Sequence, residues 1–338
     1  MANGALQTLF LPFEDEILPV PNKGASWLFL GAETDRAIGD EWKSILTCQQ
    51  PFKPDYLALQ KAGFTAVPRL QENTEFDGAL ILLGKHRGRN EGWLAQALDQ
   101  VKVGGRIVVC GNKKLGVDSF RKTVLNLTTI EDRLSKNHAV AFWFARTGEI
   151  NSEYIQKLTP KNMQIESRFN TAPGMFSHTA IDNGSAMLVK HFAGRISGHV
   201  ADFGAGWGYL ASEVLKYPEK LKSLDLYEAD FEALEAAKTN IDGGETPVKF
   251  HWHDVNSEVI TEIYDTVVMN PPFHAGRSAD PTMGQGFIAA AAKRMKPGGR
   301  LLLVANRQMP YEAGLKSLFK QVTPIEDNAG YKVIEAKK

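Results

Sequence analysis

His199-Val200-Ala201-Asp202-Phe203-Gly204-Ala205-Gly206-Trp207-Gly208 is the stretch that decides how this 338-residue chain folds. An apolar run of strand character breaks at three alternating glycines, and Tyr209 to Lys216 then continues as a helix. Strand, glycine turn and helix in that order open an α/β sheet: glycine lets backbone approach a ligand closely, and the helix start offers free N–H groups. A dinucleotide site would want Gly-x-Gly-x-x-Gly with pyrophosphate on the helix. Here the third glycine comes one position early, and Asp202 stands two residues before the first. An acid there repels pyrophosphate and suits a cation. As a purely structural feature, the same turn needs no ligand.

Downstream, the apolar runs keep ending in polar groups. Ser223-Leu224-Asp225-Leu226-Tyr227-Glu228 delivers Glu228 at its C-terminal end, where a carboxylate can accept both hydroxyl protons of a ribose; Asp225 points into the strand. Val248 to Asp254 is a third strand, with Asp254, followed by Val255, placed to accept from an adenine amino group. A lone acid at a strand end is often just a helix cap. Acids ending three successive strands beside a glycine turn form a pattern, because open α/β sheets bind ligands at those carboxyl ends. Gly204, Ala205, Gly206 and Gly208, with these acids, are the expected cofactor cradle.

The fourth strand, Tyr264-Asp265-Thr266-Val267-Val268-Met269, stops at Asn270-Pro271-Pro272-Phe273-His274. Two prolines donate no backbone hydrogen bonds and hold the chain extended, which leaves an amide and a ring at the strand's mouth. An exocyclic amine is a poor nucleophile because its lone pair is delocalised. If the Asn270 side-chain oxygen and the Pro271 carbonyl each accept one N–H, charge developing on nitrogen is stabilised, and Phe273 can stack on the ring that bears it. In isolation Asn-Pro-Pro-Phe also reads as a loop start with Phe273 in the core.

The chain repeats itself. Residues 102–112 (Lys-Val-Gly-Gly-Arg-Ile-Val-Val-Cys-Gly-Asn) match 296–306 (Lys-Pro-Gly-Gly-Arg-Leu-Leu-Leu-Val-Ala-Asn) at an offset of 194. A shift of 188 lays Phe76-Asp77 over Tyr264-Asp265, and one of 173 lays Gly31-Ala32 over Gly204-Ala205. Three matches in the same order suggest two copies of one fold. Under these shifts Asn270-Pro-Pro-Phe273 faces Leu82, Leu83, Gly84 and Lys85, and Asp202 faces Phe29. Residues 1–146 are therefore expected as a degenerate, non-catalytic domain. Residues 147–172 are expected as a linker and 173–338 as the catalytic domain.

Composition sets outer limits. Apolar residues make up 43% and charged residues 23%, and no apolar run approaches the roughly 20 residues that span a bilayer. Glu14, Asp15 and Glu16 interrupt the N-terminal segment, against a secretion signal. Cys48 and Cys110 lie far apart without metal-site or redox spacing, which fits a reducing cytoplasm and no metal. Formal charge is zero overall, yet residues 101–200 carry 14 Lys/Arg against 7 Asp/Glu. A basic zone between acidic ends suits a phosphate-rich partner as well as an ordinary solvated surface.

With Asp202 to Gly208, Glu228, Asp254 and Asn270-Pro-Pro-Phe-His274 in place, the chain resembles class I methyltransferases dependent on S-adenosylmethionine, and more narrowly the RsmC-type ribosomal RNA guanine-N2 methyltransferases. Pro173-Gly-Met-Phe-Ser177 and Ala305-Asn-Arg-Gln-Met-Pro-Tyr311 look like that family's flanking segments. The resemblance implies two tandem Rossmann-like domains, the first inactive, each a mostly parallel seven-stranded sheet with helices on both faces and an antiparallel final strand. It implies a cytoplasmic monomer that methylates the 2-amino group of a guanine in 16S ribosomal RNA, with Phe176, His274 and Arg307 toward the substrate and Asp202 toward the cofactor's cationic end. Asn-Pro-Pro with an aromatic also serves adenine-N6 and protein glutamine-N5 methyltransferases. A non-catalytic RNA-binding or ribosome assembly factor is the reading from another class.

Overall fold

Strands buried on both faces are what parallel sheets covered by helices require, and the apolar runs of this chain become such strands. The computed structural model describes every residue except Met1, Ala2, Arg36, Ala37, Glu72, Glu149, Ile150, Asn151, Phe273, Gly276, Arg277, Asp280 and Ala329. The chain divides into two units, Met1–Asn162 with Ala172–Gly174, and Met163–Thr171 with Met175–Lys338.

The first unit contains α1 (Gly4–Glu14), β1 (Trp27–Leu30), β2 (Leu46–Gln49), α2 (Lys53–Lys61), β3 (Thr65–Val67), β4 (Phe76–Leu82), α3 (Arg87–Gln100), β5 (Val101–Asn112), α4 (Val117–Leu125), β6 (Asp132–Lys136), β7 (Ala139–Ala145) and α5 (Ser152–Leu158). The second contains β8 (Met163–Ile165), β9 (Phe169–Thr171), α6 (Asn183–Val189), β10 (Gly198–Phe203), α7 (Tyr209–Val214), β11 (Leu221–Glu228), α8 (Phe231–Asn240), β12 (Val248–Trp252), β13 (Tyr264–Met269), β14 (His274–Ala275), β15 (Ser278–Ala279), α9 (Pro281–Arg294), β16 (Met295–Asn306), α10 (Glu312–Leu318), β17 (Gln321–Asp327) and β18 (Tyr331–Lys337). Residues 147–172, expected as a linker, thus include α5 and the antiparallel β8–β9 hairpin.

Each unit has a seven-stranded sheet of one order, β3-β2-β1-β4-β5-β7-β6 and β12-β11-β10-β13-β16-β18-β17. The final strand of each, β7 or β18, runs antiparallel to both neighbours, and the other pairings are parallel. Register turns the sequence repeat into a structural equivalence. Phe29 pairs with Leu80 and Leu80 with Val108, while Asp202 pairs with Val268 and Val268 with Leu302. The shifts of 173, 188 and 194 all fall in that one row.

Alternate strand residues feed opposite cores, as a period of two dictates. In the second unit Ala201, Phe203, Val267, Met269 and Leu301 pack with α9 and α10 residues such as Ile288 and Leu315, and Val200, Leu226, Val268 and Leu302 pack with α6 and α7 residues such as Leu188 and Leu210. Helices therefore cover both faces of the sheet.

One polar lock recurs in both copies. Asp77 accepts from the Ser26 amide (2.9 Å) and from Lys102 Nζ (2.8 Å); Asp265 accepts from the His199 amide (2.8 Å) and from Lys296 Nζ (2.8 Å). In each case the acid at the start of one strand ties down the chain entering the next strand, and the lysine of the repeated glycine turn completes it. Lys296 holds the Asp265 carboxyl below its ordinary range despite partial burial. Asp265→Ala should lower unfolding stability by about 1–2 kcal/mol in urea titrations at pH 7, since it strands the His199 N–H, and Asp265→Asn should cost less.

Candidate active site

The site is built where β10 leaves its sheet. Gly204, Gly206 and Gly208 have φ of 77°, 55° and 96°, a left-handed backbone that other residues enter at a cost of about 1–2 kcal/mol. The Gly204 and Ala205 amides both donate to the Tyr227 carbonyl (2.9 and 3.1 Å), which presses the turn against the end of β11. A Cβ on Gly206 would meet nothing within 4 Å, so the turn leaves open space there. Asn240, closing α8, donates to the Trp207 and Asn170 carbonyls (both 2.9 Å), and the Trp207 indole donates to the Phe176 carbonyl (2.9 Å). A small cavity open to solvent results; its lining includes Gly204, Ala205 and Gly206 of the turn, Phe176, Asp182, Ser185 and Asn270.

Two acids lie beneath and beside the turn. Asp202 is fully buried on the sheet face shared with Val200 and Val268, and neither of its carboxylate oxygens has a hydrogen-bond partner of normal geometry. Burial, reinforced by the charge of Glu228 and opposed only by the Ala211 backbone, pushes its pKa up to about 8. Glu228 ends β11; its carboxylate accepts from the Gly206 amide (2.7 Å) and the Asp230 amide (2.8 Å). Burial outweighs those bonds and raises it to about 7. Asp225, by contrast, is turned into the core, where Tyr264 donates to it (2.7 Å).

At the end of β13 the Asn270 amide nitrogen donates to Asp182 Oδ2 and to Ser185 Oγ, both at 2.9 Å. Pro271 is buried and Pro272 exposed. Phe273 lies outside the described residues; His274 follows in β14, paired with Ala279. Phe176 is 59% exposed, unusual for a phenylalanine beside a cavity.

Asp254, Val255 and Arg307, like Asp202, Gly208, Glu228 and Pro271, are not in the cavity wall. Asp254 sits two residues beyond β12 and uses both oxygens locally, accepting from the Asn256 amide (3.0 Å) and the Ser257 hydroxyl (2.5 Å). Val255 packs in the core with Ile260 and Phe287. Arg307 forms an exposed ion pair with Asp327 (3.1 Å). Residues 173–177 and 181–185 read in sequence either as a lid on the cofactor pocket or as ordinary turns and a helix cap; Phe176, Ser177, Asp182 and Ser185 line the cavity, and the bond from Asn270 to Asp182 and Ser185 had no signal in the sequence.

The first copy carries different side chains at the points equivalent to Asp202, Glu228 and Asn270. By register Glu228 corresponds to Gln50, whose side chain accepts from the Phe52 amide (2.9 Å) as Glu228 does from Asp230, and donates to the Ala32 carbonyl (2.7 Å). Phe29 and Leu82, in place of Asp202 and Asn270, are buried. A Cβ on Gly31 would strike the Trp93 ring at 2.6 Å, so an indole fills the space above the turn.

The profile of the methyltransferase small domain family matches residues 166–335, and that of its N-terminal counterpart matches residues 23–161. Ribosomal RNA small subunit methyltransferase C of Psychromonas ingrahamii is 30% identical over 285 residues, covering 83% of this chain and 80% of that protein. The chain belongs to the RsmC-type methyltransferase family. The protein of the same name from Idiomarina loihiensis is 26% identical and aligns along 99% of this RsmC-type chain and 94% of its own. The solved structure of the Thermus thermophilus 16S rRNA N2 G1207 methyltransferase, in complex with AdoMet and guanosine, shares the fold, with a TM-score of 0.78 at 20% identity over 97% of this chain and 92% of that one.

The residues present fit S-adenosylmethionine. Asp202, a buried carboxyl with no hydrogen-bond partner of normal geometry, is a group that an arriving cation would ionise, Glu228 beside the turn can accept from ribose hydroxyls, and the open Gly206 leaves room for close backbone approach. Among the described residues no group of three or more His, Cys, Asp or Glu side chains is arranged to hold a metal.

An acid whose pKa is raised by folding contributes stability that is complete below its unfolded pKa of about 4 and is lost as pH climbs through the folded value. Asp202 and Glu228 place that window between about pH 4 and 8. Cofactor-free protein should therefore melt at lower temperature at pH 8.5 than at pH 5.5, and Asp202→Asn should flatten the trend. Calorimetric titration should give one cofactor site per chain, because the first copy is filled by its own side chains.

Proposed function

We infer that the chain transfers a methyl group from S-adenosylmethionine to the exocyclic N2 amino group of a guanine in 16S ribosomal RNA. The observation that carries this is the Asn270 amide, anchored through its nitrogen at the mouth of β13 beside the glycine turn. When bound, S-adenosylmethionine supplies an electrophilic methyl group on a sulfonium. The chain's part is to hold the amine against it. Asn270 Oδ1 and the Pro271 carbonyl accept the two N–H bonds of the guanine amine, which stabilises charge developing on nitrogen and turns its lone pair toward the donor. Phe176, exposed at the cavity rim, supplies a stacking face for a base taken out of the RNA, and Phe273 a second. Glu228 is read as the ribose acceptor, Asp202 as the countercharge to the cationic end, Asp254 and Val255 as contacts to the adenine, and His274 and Arg307 as RNA contacts.

The first copy, with the same sheet and none of these polar groups, is read as a non-catalytic domain that binds RNA or stabilises its neighbour. The basic middle third of the chain favours a phosphate-rich partner. A cytoplasmic monomer is the setting proposed; the free, buried Cys48 and Cys110 suit a reducing compartment.

Protein incubated with labelled S-adenosylmethionine and 30S subunits or free 16S RNA should yield label in N2-methylguanosine on nucleoside analysis. Label in N6-methyladenosine or in protein would replace the guanine reading, and no transfer to any substrate would favour an assembly factor. Asn270→Ala should reduce kcat by about 10²-fold or more and leave cofactor affinity within about threefold.

A further inference from the structure

We propose that Asp182 is a positioning residue for methyl transfer: with Ser185 it fixes the Asn270 amide so that oxygen, and not nitrogen, faces the amine to be methylated. The inference rests on the reading of Asn270 as an acceptor. A primary amide is nearly symmetric in shape, so packing alone does not choose between its two orientations; its hydrogen-bond partners do.

Asp182 caps α6, its Oδ2 accepting from the Ser185 amide at 2.8 Å. The same oxygen accepts one Asn270 Nδ2 proton at 2.9 Å, and Ser185 Oγ takes the other at 2.9 Å. The Asp182 carboxylate and the Tyr331 ring both crowd Gly184. An ionised carboxylate has no proton to give. Turning the Asn270 amide over would set its oxygen against Asp182 Oδ2, two acceptors with no hydrogen between them, and would aim N–H groups at the N–H groups of the substrate amine. With Asp182 in place only one orientation keeps both nitrogen protons bonded, and the oxygen is left as the amide's open acceptor.

The surroundings keep the group assembled. A Cβ on Gly184 would meet the Tyr331 ring at 2.8 Å and Asp182 Oδ2 at 3.0 Å, so position 184 has no room for a side chain without displacing the carboxylate. Ser185 is 6% exposed, while Asp182 and Asn270 are half-buried in the cavity wall. The cap of one helix is thereby joined to the end of a strand 88 residues later.

Asp182→Asn retains a side-chain oxygen for the Ser185 amide, so α6 stays capped, but it brings a donor to the site and frees the Asn270 amide to turn. The expected result is a loss in kcat of about tenfold or more, with KM for RNA and the dissociation constant of S-adenosylhomocysteine within about threefold and the melting temperature nearly unchanged. In the cofactor-free protein, the Asn270 side-chain NH₂ protons should exchange slowly in the wild type and rapidly in Asp182→Asn by NMR. Ser185→Ala leaves the cap intact and removes one acceptor; it should lose about threefold in kcat, and it keeps the test open if Asp182→Asn folds poorly. Wild-type kcat in both variants beside an inactive Asn270→Ala would overturn the positioning role, and so would a loss confined to cofactor affinity. An active Asn270→Ala would remove the acceptor reading itself, and the positioning role with it.

Discussion

A carboxylate sealed inside an apolar layer is the constraint on which the rest of the second unit turns. Asp202 stands in the row of Val268 and Leu302, with no exposure and no hydrogen-bond partner of normal geometry for either oxygen. Removing such a charge from water is costly, so the group holds its proton well above the usual carboxylate range unless positive charge arrives. The neighbouring Glu228 adds to that cost. A fold selected for stability alone would place an apolar side chain in this row, and the same chain does so in its other copy, where Phe29 occupies the equivalent point.

The two copies separate what the sheet needs from what chemistry needs. Both keep the strand order, the alternating cores and the Asp–Lys lock at the start of the fourth strand. They part at the carboxyl edge. Asp202, Glu228 and Asn270 become Phe29, Gln50 and Leu82; Gln50 preserves one backbone hydrogen bond of Glu228 and gives up the charge. The turn glycine survives as Gly31, now covered by Trp93. Losing the polar edge removes an electrostatic cost and closes the opening in the same step.

Much of this was legible in the sequence because it is local or periodic. Strands buried on both faces read as unbroken apolar runs, glycines mark the left-handed turn after β10, and the repeat fixes equivalence by simple offsets. Element ends were less legible: the strand read to Asp254 stops at Trp252, because Asp254 turns back to bond Asn256 and Ser257. That self-bonding follows from a short acid near a serine three residues on, a pattern shared with caps and ligand contacts alike. What binds Asn270 was not legible at all. Asp182 and Ser185 announce a helix cap in sequence, and nothing local says that the capping oxygen also meets an amide 88 residues away.

If the acidic edge is there to receive a cation, then cofactor binding must drive Asp202 and Glu228 toward their ionised forms and release protons. Titration calorimetry of S-adenosylmethionine into the protein at pH 7.5, in buffers of different ionisation enthalpy, measures that directly. The account predicts net proton release on binding, a substantial fraction of one proton per site, that shrinks in Asp202→Asn. Binding heats independent of the buffer, with full affinity in Asp202→Asn, would contradict it.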